Sequence, residues 1–170
     1  AFRFSNLIND KSKYESEYIG IIENRNSFSA KFYSFIDRFP IRFYRNRSFL
    51  PFSIGIIGSL KALLFIIKNR KKIYHLHWIN GGLFSIIFII FIKKRVVWTL
   101  HDMWPITGGC HYTFDCERYK IGCGYCPQLS SKYNYDITWF MARLKRYLFK
   151  NILFISPSIW LANCYNKSFI

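Results

Sequence analysis

Arg95-Val96-Val97-Trp98-Thr99-Leu100-His101-Asp102 decides how the chain is read. An apolar, β-branched and aromatic run gives way to a polar His-Asp turn, the pattern of a short buried strand that ends at a loop. Ile73-Tyr74-His75-Leu76-His77-Trp78 lies upstream and Asn151-Ile152-Leu153-Phe154-Ile155-Ser156 downstream, both with the same form. The three read as strands buried on both faces, with a weaker strand at residues 18–22. Helical stretches separate them. Residues 54–68 are apolar all round apart from Lys61, and residues 83–92 are almost wholly apolar. Residues 137–150 are amphipathic: Ile137, Phe140, Met141, Leu144 and Leu148 recur at three- and four-residue steps. Arg143, Lys145, Arg146 and Lys150 then form a basic face that can lie on a membrane surface, though a solvated face is the commoner explanation, and Asp136 or Thr138 caps the start. Alternating strands and helices predict an α/β fold with a parallel sheet, and right-handed crossovers put helices on both faces. Ligands in such sheets bind beyond the carboxyl ends of the strands. That edge receives His77-Trp78-Ile79-Asn80-Gly81-Gly82, Leu100-His101-Asp102 and Ser156-Pro157-Ser158.

A chain of 170 residues has the length of about one domain, and 51% apolar content argues against disorder. Twenty-five Lys and Arg against nine Asp and Glu give a net charge of +16. That balance suits an anionic partner: nucleic acid, an acidic lipid surface or a phosphorylated ligand. A compositional bias toward Lys, Asn, Ile, Phe and Tyr explains it equally well, because the charge is spread along the chain. The first residues, AFRFSNLIND, show no apolar signal-peptide core. The longest apolar runs fall short of the ~20 residues of a membrane span, so the chain reads as soluble or membrane-peripheral. Five cysteines without a secretion signal point to the cytosol, where clustered cysteines bind metal or stay reduced.

Residues 24–53 read as irregular, with Arg and Lys interleaved among Phe and Tyr and with breaks at Pro40 and Pro51. Such a segment can bind single-stranded nucleic acid by stacking and charge. It can also be an insertion whose aromatics pack on the core, which is favoured because no RNP-like, GXXG or helix-turn-helix pattern accompanies it.

The chemistry-bearing residues concentrate between Trp98 and Leu129. His101, at a strand's carboxyl end, can donate to an oxyanion or a phosphate oxygen, with Asp102 orienting or charging the ring; a plain strand-end turn is the alternative. Cys110, Cys116, Cys123 and Cys126 follow C-x5-C-x6-C-x2-C, ending in a knuckle-like Cys123-Gly124-Tyr125-Cys126. Four-thiolate structural zinc is one reading, with His111 as a substitute ligand; free thiols or a disulfide are the others. Cys164 reads as an ordinary core thiol. Gly81-Gly82 and Gly108-Gly109 can present amides to an anion or serve as plain turns. Walker A, G-x-G-x-x-G, H-E-x-x-H and G-x-S-x-G sequences are absent, which removes the common NTPase, dinucleotide, zincin and α/β-hydrolase readings.

The blocks HLHWINGG (75–82), VVWTLHDMWPITGGC (96–110), CERY (116–119), GCGYCPQL (122–129) and SPSIWLA (156–162) resemble, in order and spacing, the bacterial family 4 glycosyltransferases of the colanic-acid and exopolysaccharide type. The resemblance covers about residues 70–170, more loosely 1–22. It implies a GT-B enzyme, two Rossmann-like domains facing a cleft, that moves a sugar from a nucleotide-sugar to a glycan or lipid-linked acceptor. Retention of anomeric configuration and no metal for the chemistry are implied as well. By that match the chain is an incomplete N-terminal, acceptor-side domain (1–170) without its first strand, carrying a Cys-rich insertion at 103–130. The C-terminal donor-binding domain is absent, and the fragment is inactive alone. His101, supported by Asp102, is the expected catalytic residue. Substrate contacts are expected from His77, Trp78, Asn80, Gly81, Gly82, Trp104 and Ser158. The resemblance further implies surface polysaccharide biosynthesis; the basic surface would then face an acidic glycan or, from the cytoplasm, the anionic inner face of the plasma membrane in peripheral contact. A zinc-stapled basic nucleic-acid-binding module is the competing reading.

Overall fold

The computed structural model describes residues 28–92 and 94–170. The strand expected at 18–22 and the loose match over 1–22 lie outside them. The first element, helix α1 (Phe28–Arg38), is followed by a 3-10 turn at Phe39–Phe43 that begins around Pro40. Part of the stretch read as irregular is therefore helical. Phe32, Phe35 and Phe39 recur at helical spacing but do not point inward: Phe32, Phe35, Phe39, Phe43 and Phe49 are all exposed. Among the described apolar residues of this stretch Ile41 alone is fully buried, while Tyr44 and Phe52 pack against the core. The expectation that the aromatics of 24–53 pack on the core thus holds for Tyr44 and Phe52 and is corrected for Phe32, Phe35, Phe39, Phe43 and Phe49.

Asp37, on the inner side of α1, explains the next departure. Its buried carboxylate accepts hydrogen bonds from the amides of Gly55 and Ile56 at 3.0 Å and of Ile57 at 3.1 Å. Amides committed to a side chain cannot enter a helical ladder, and Gly55 sits at φ +78°. The helix expected at 54–68 accordingly starts late, as α2 (Leu60–Lys68), where Ser59 Oγ accepts from the Ala62 amide. Residues 83–92 form a 3-10 segment (Ile86–Phe91) in place of the expected helix, with Ser85 capping its start. Four isoleucines among these six residues crowd χ1 and weaken α-helix formation, while burial of Ile86, Phe88 and Ile89 keeps the segment in the core.

Strands β1 (Tyr74–Leu76), β2 (Val96–Thr99) and β3 (Leu153–Ile155) form a parallel sheet in the order β1-β2-β3, at all three expected places. The described residues are thus an α/β, Rossmann-like arrangement. Leu76, Trp98 and Phe154 stand in register on one face, packed into the main core. The other face carries His75, Val97 and Leu153, and Leu153 is 63% exposed. Strands read as buried on both faces are therefore packed on one. Helix α3 (Ile137–Phe149) packs on the 86–91 segment and on the turn at Trp104–Ile106. Asp136 caps it, accepting from the amides of Thr138 and Trp139. Its basic face is only partly solvated, because Lys145 is fully buried and Arg143 half-buried. Helix α4 (Ile159–Asn166) follows β3 and contributes Leu161 to a second core cluster with Leu100, Met103, Ile106 and Tyr119. No helix among the described residues is long and apolar enough to cross a membrane.

Candidate functional site

Two places gather chemistry, one at the strand ends and one beneath the cysteine-rich flap. Pairing of Leu76 with Trp98 brings the exits of β1 and β2 side by side. His77 and His101 leave those exits and meet, Nδ1 to Nε2, at 2.8 Å. His75 stacks on His77 at a 4.4 Å centroid distance, and its Nε2 lies 2.8 Å from Thr99 Oγ1. A hydrogen bond between two imidazoles needs one ring nitrogen as donor and one as acceptor, so at least one ring is neutral. Burial, then the neighbouring His75, lowers the His77 pKa from 6.5 to about 4. His77 is thus the neutral partner near pH 7.

His77, Trp78, Asn80, His101, Asp102 and Trp104 line one groove, together with Ile79, Trp98 and Pro105. Its enclosed part, about 10 Å³, holds no more than a water, so any larger ligand binds across its open mouth. Asn80 is 2% exposed and its Oδ1 has no hydrogen-bond partner among the described residues. An unmet buried acceptor at the groove wall asks for a donor such as a hydroxyl. Trp78 is half exposed beside it.

Other expected residues do different work. Asp102 does not hold the His101 ring. Its Oδ2 lies 2.6 Å from His111 Nδ1, and its Oδ1 accepts from the Trp104 amide at 2.8 Å. His111 Nε2 in turn lies 3.0 Å from Ser53 Oγ. Serine, histidine and aspartate are ordered here as in a hydrolytic triad, but Ser53 and His111 are both 5% exposed and the serine lines neither the strand-end groove nor the cysteine cavity. The chain of bonds is a brace that fixes the turn behind His101. Trp104 is 1% exposed and donates from Nε1 to Ser53 O at 2.7 Å, so it is a wall and not a ligand contact. Gly81 and Gly82 do not line the groove. A Cβ on Gly82 would lie 2.6 Å from the Ser34 amide nitrogen, so this glycine lets the turn approach α1. The 3-10 segment that follows is capped by Ser85, whose Oγ accepts from the Ile87 amide at 3.1 Å. Ser158 caps α4 by accepting from the Leu161 amide at 3.2 Å.

Beneath the flap, Cys110, Cys116, Cys123 and Cys126 line a single cavity of about 20 Å³, with Arg118, Tyr119 and Thr138 in its wall. His111, engaged by Ser53 and Asp102, is not among its lining residues. All five cysteines are free thiols, and no group of three or more His, Cys, Asp or Glu among the described residues stands at metal-binding spacing. Burial pushes the thiols of Cys123 and Cys126 up to about 12 and raises that of Cys110.

Lys145 is the functional-looking residue that the sequence pattern concealed. Its Nζ donates to Trp104 O at 2.6 Å and Thr107 O at 2.9 Å, and lies 3.6 Å from the centroid of the Trp104 ring. Burial lowers its pKa from 10.5 to about 7, against the pull of Cys110 and Cys123. Its i+4 spacing from Met141, on the apolar stripe, was the available signal.

No family model matches the chain, and no solved structure matches it. It is similar to an Escherichia coli (strain K12) protein named "Putative colanic acid biosynthesis glycosyl transferase WcaC", with 36% identity over 108 residues. The match takes in 56% of this chain, which spans about a quarter (26%) of the relative's length.

Proposed function

We propose that the chain forms the acceptor-side part of a glycosyltransferase that moves a sugar from a nucleotide-sugar to a glycan or lipid-linked acceptor in surface polysaccharide biosynthesis. The observation that carries this reading is the strand-end groove, where His77 and His101 share a hydrogen bond at 2.8 Å beside the unmet oxygen of Asn80. The likeness to the E. coli protein supports the same class of reaction.

Neutral His77 can donate from Nδ1–H to Nε2 of His101, which holds that ring in one orientation and in its Nδ1–H tautomer. His101 is then left with Nδ1–H to donate to a donor-phosphate oxygen as negative charge grows on the leaving group. Asn80 Oδ1 accepts from a sugar hydroxyl, and half-exposed Trp78 offers its ring face to the pyranose. The open mouth of the groove suits a site that a second, nucleotide-binding domain of a GT-B enzyme closes. The chemistry proposed uses no metal. The protein would work in the cytoplasm against the anionic inner face of the plasma membrane, toward which the exposed phenylalanines of 32–49 and their arginines would turn.

Turnover of nucleotide-sugars by the full-length enzyme tests the reading. His101→Ala should lower kcat by ~10²-fold or more, and His77→Ala should lower it less. Wild-type turnover in His101→Ala would remove the role assigned to the ring. Salt-sensitive oligonucleotide binding without sugar transfer would favour the zinc-stapled nucleic-acid module instead.

A further inference from the structure

His75, His77 and His101 make a row of imidazoles at the strand ends: His75 stacks on His77, and His77 Nδ1 meets His101 Nε2 at 2.8 Å. That last contact limits how many protons the pair holds. A neutral imidazole carries one N–H and a cationic ring carries two. Two neutral rings satisfy the contact with one donor and one acceptor. One added proton also fits, because a cationic ring donates to a neutral one. A second would set N–H against N–H, so the pair carries at most one positive charge while the contact lasts.

The surroundings supply no anion to hold that charge. Asp102, next to His101 in the chain, gives its carboxylate to His111 Nδ1 at 2.6 Å and to the Trp104 amide at 2.8 Å. No carboxylate among the described residues stands at ion-pair distance from His77 or His101. The other described titratable groups around the pair are His75 from β1 and His111 behind the Asp102 turn, neither of them an anion. The exit of β3, beside that of β2, carries Ser156, Pro157 and Ser158 and no charge. Partial burial further favours a neutral His77. An anion that enters the groove is therefore the group that draws a proton onto the pair.

We propose that His77 and His101 form a one-proton relay, which charges His101 only when a phosphate-class anion occupies the mouth of the groove. At rest His77 donates from Nδ1–H to His101 Nε2, and His101 carries its own proton on Nδ1. As the anion arrives, a solvent proton bonds to His77 Nε2. The His77 Nδ1–H bond breaks, and that proton bonds to His101 Nε2. His77 ends neutral, as its other tautomer, and accepts from His101. The positive charge rests on His101, whose Nδ1–H donates to the anion. A charge-assisted hydrogen bond of this kind is about twice as strong as a neutral one. When the anion leaves, the proton returns to solvent by the reverse route.

The relay rests on the phosphate contact proposed for His101, and it is read from ring protons, not from sugar transfer. The full-length chain, labelled with ¹⁵N in its histidine rings, is titrated with sodium sulfate at about pH 7, where histidine changes charge and sulfate does not. Saturating sulfate should bring both His101 nitrogens to their protonated shifts and move the His77 proton from Nδ1 to Nε2. His75 and His111 should keep their protonation states. The sulfate needed for half-saturation should rise ~10-fold per pH unit on the alkaline side, the slope of one proton taken up per anion. In His101→Gln the switch at His77 should vanish. Uridine diphosphate should act at lower concentration than farnesyl diphosphate; the reverse order overturns the donor assignment and keeps the relay. Switched rings in a chain that transfers no sugar likewise keep the relay and remove the reaction. Rings that stay unmoved in a chain whose turnover needs His101 overturn the relay and keep the reaction. A His101 that gains its proton while His77 stays in its Nδ1–H form overturns the relay too, as does equal protonation of all four histidines.

Discussion

His77 and His101 contact each other at 2.8 Å on the solvent side of a sheet whose other face is core. Partial burial disfavours the charged form of His77 and drops its pKa from 6.5 to about 4. The unfolded chain therefore binds more protons than the folded one between those values. Stability should be full above pH 6.5 and should fall as pH drops toward 4. Urea midpoints measured across that window should show the slope, and His77→Gln should flatten it. Lys145 argues the same physics from the interior. Lys145→Met leaves the carbonyls of Trp104 and Thr107 without their donor. A loss of ~2 kcal/mol is expected, read from chemical denaturation.

At the level of elements, one carboxylate joins α3 to the flap. Asp136 Oδ1 caps the helix, while its Oδ2 accepts from the Cys126 amide at 3.0 Å. Asp136→Ala removes both functions and should cost at least the ~1–2 kcal/mol of a lost cap. Asp136→Asn keeps the cap oxygen but turns a donor toward the Cys126 amide, so an intermediate loss is expected. The same junction is tight at Gly108, where a Cβ would stand 2.4 Å from Thr138 O. Gly108→Ala should push the flap off α3, lowering Tm and raising amide exchange across residues 108–126.

For the whole molecule, the net charge of +16 and the exposed aromatic stripe of α1 act together. Arg42 lies over the Phe35 ring at 4.7 Å, and Phe39 and Phe43 meet edge to face at 5.5 Å. Phenylalanines on a solvated helix beside arginines suit the boundary of an anionic bilayer. Co-sedimentation with phosphatidylglycerol vesicles should be strong at low ionic strength and fall by ~10-fold or more at high salt. Phe32→Ser with Phe35→Ser should weaken the salt-resistant part. Equal binding to neutral vesicles would remove the electrostatic component.

The strands and the long amphipathic helix were legible in the sequence, because local pattern and burial agree there. Val96, Trp98 and Leu100 had to be inside, and Ile137 to Phe149 could satisfy its period only as a helix. The same pattern brought His77, Asn80 and His101 to one sheet edge, since parallel strands must end together. Pairings between distant residues were not legible. The commitment of Asp37 to the amides of 55–57 shortened α2, and Asp102 turned to His111 and away from the neighbouring His101. Lys145 went inward on what looked like a solvated face, and Phe32 and Phe35 of α1 went outward although they looked like core. Each of these outcomes depends on which buried donors and acceptors remain to be met once the elements have packed, and no local period encodes that. The sequence by itself determined the parallel sheet, its order of strand ends and the four cysteines of one flap. Only the tertiary structure decided that His101 meets His77 and not Asp102, and that the four sulfurs line one cavity.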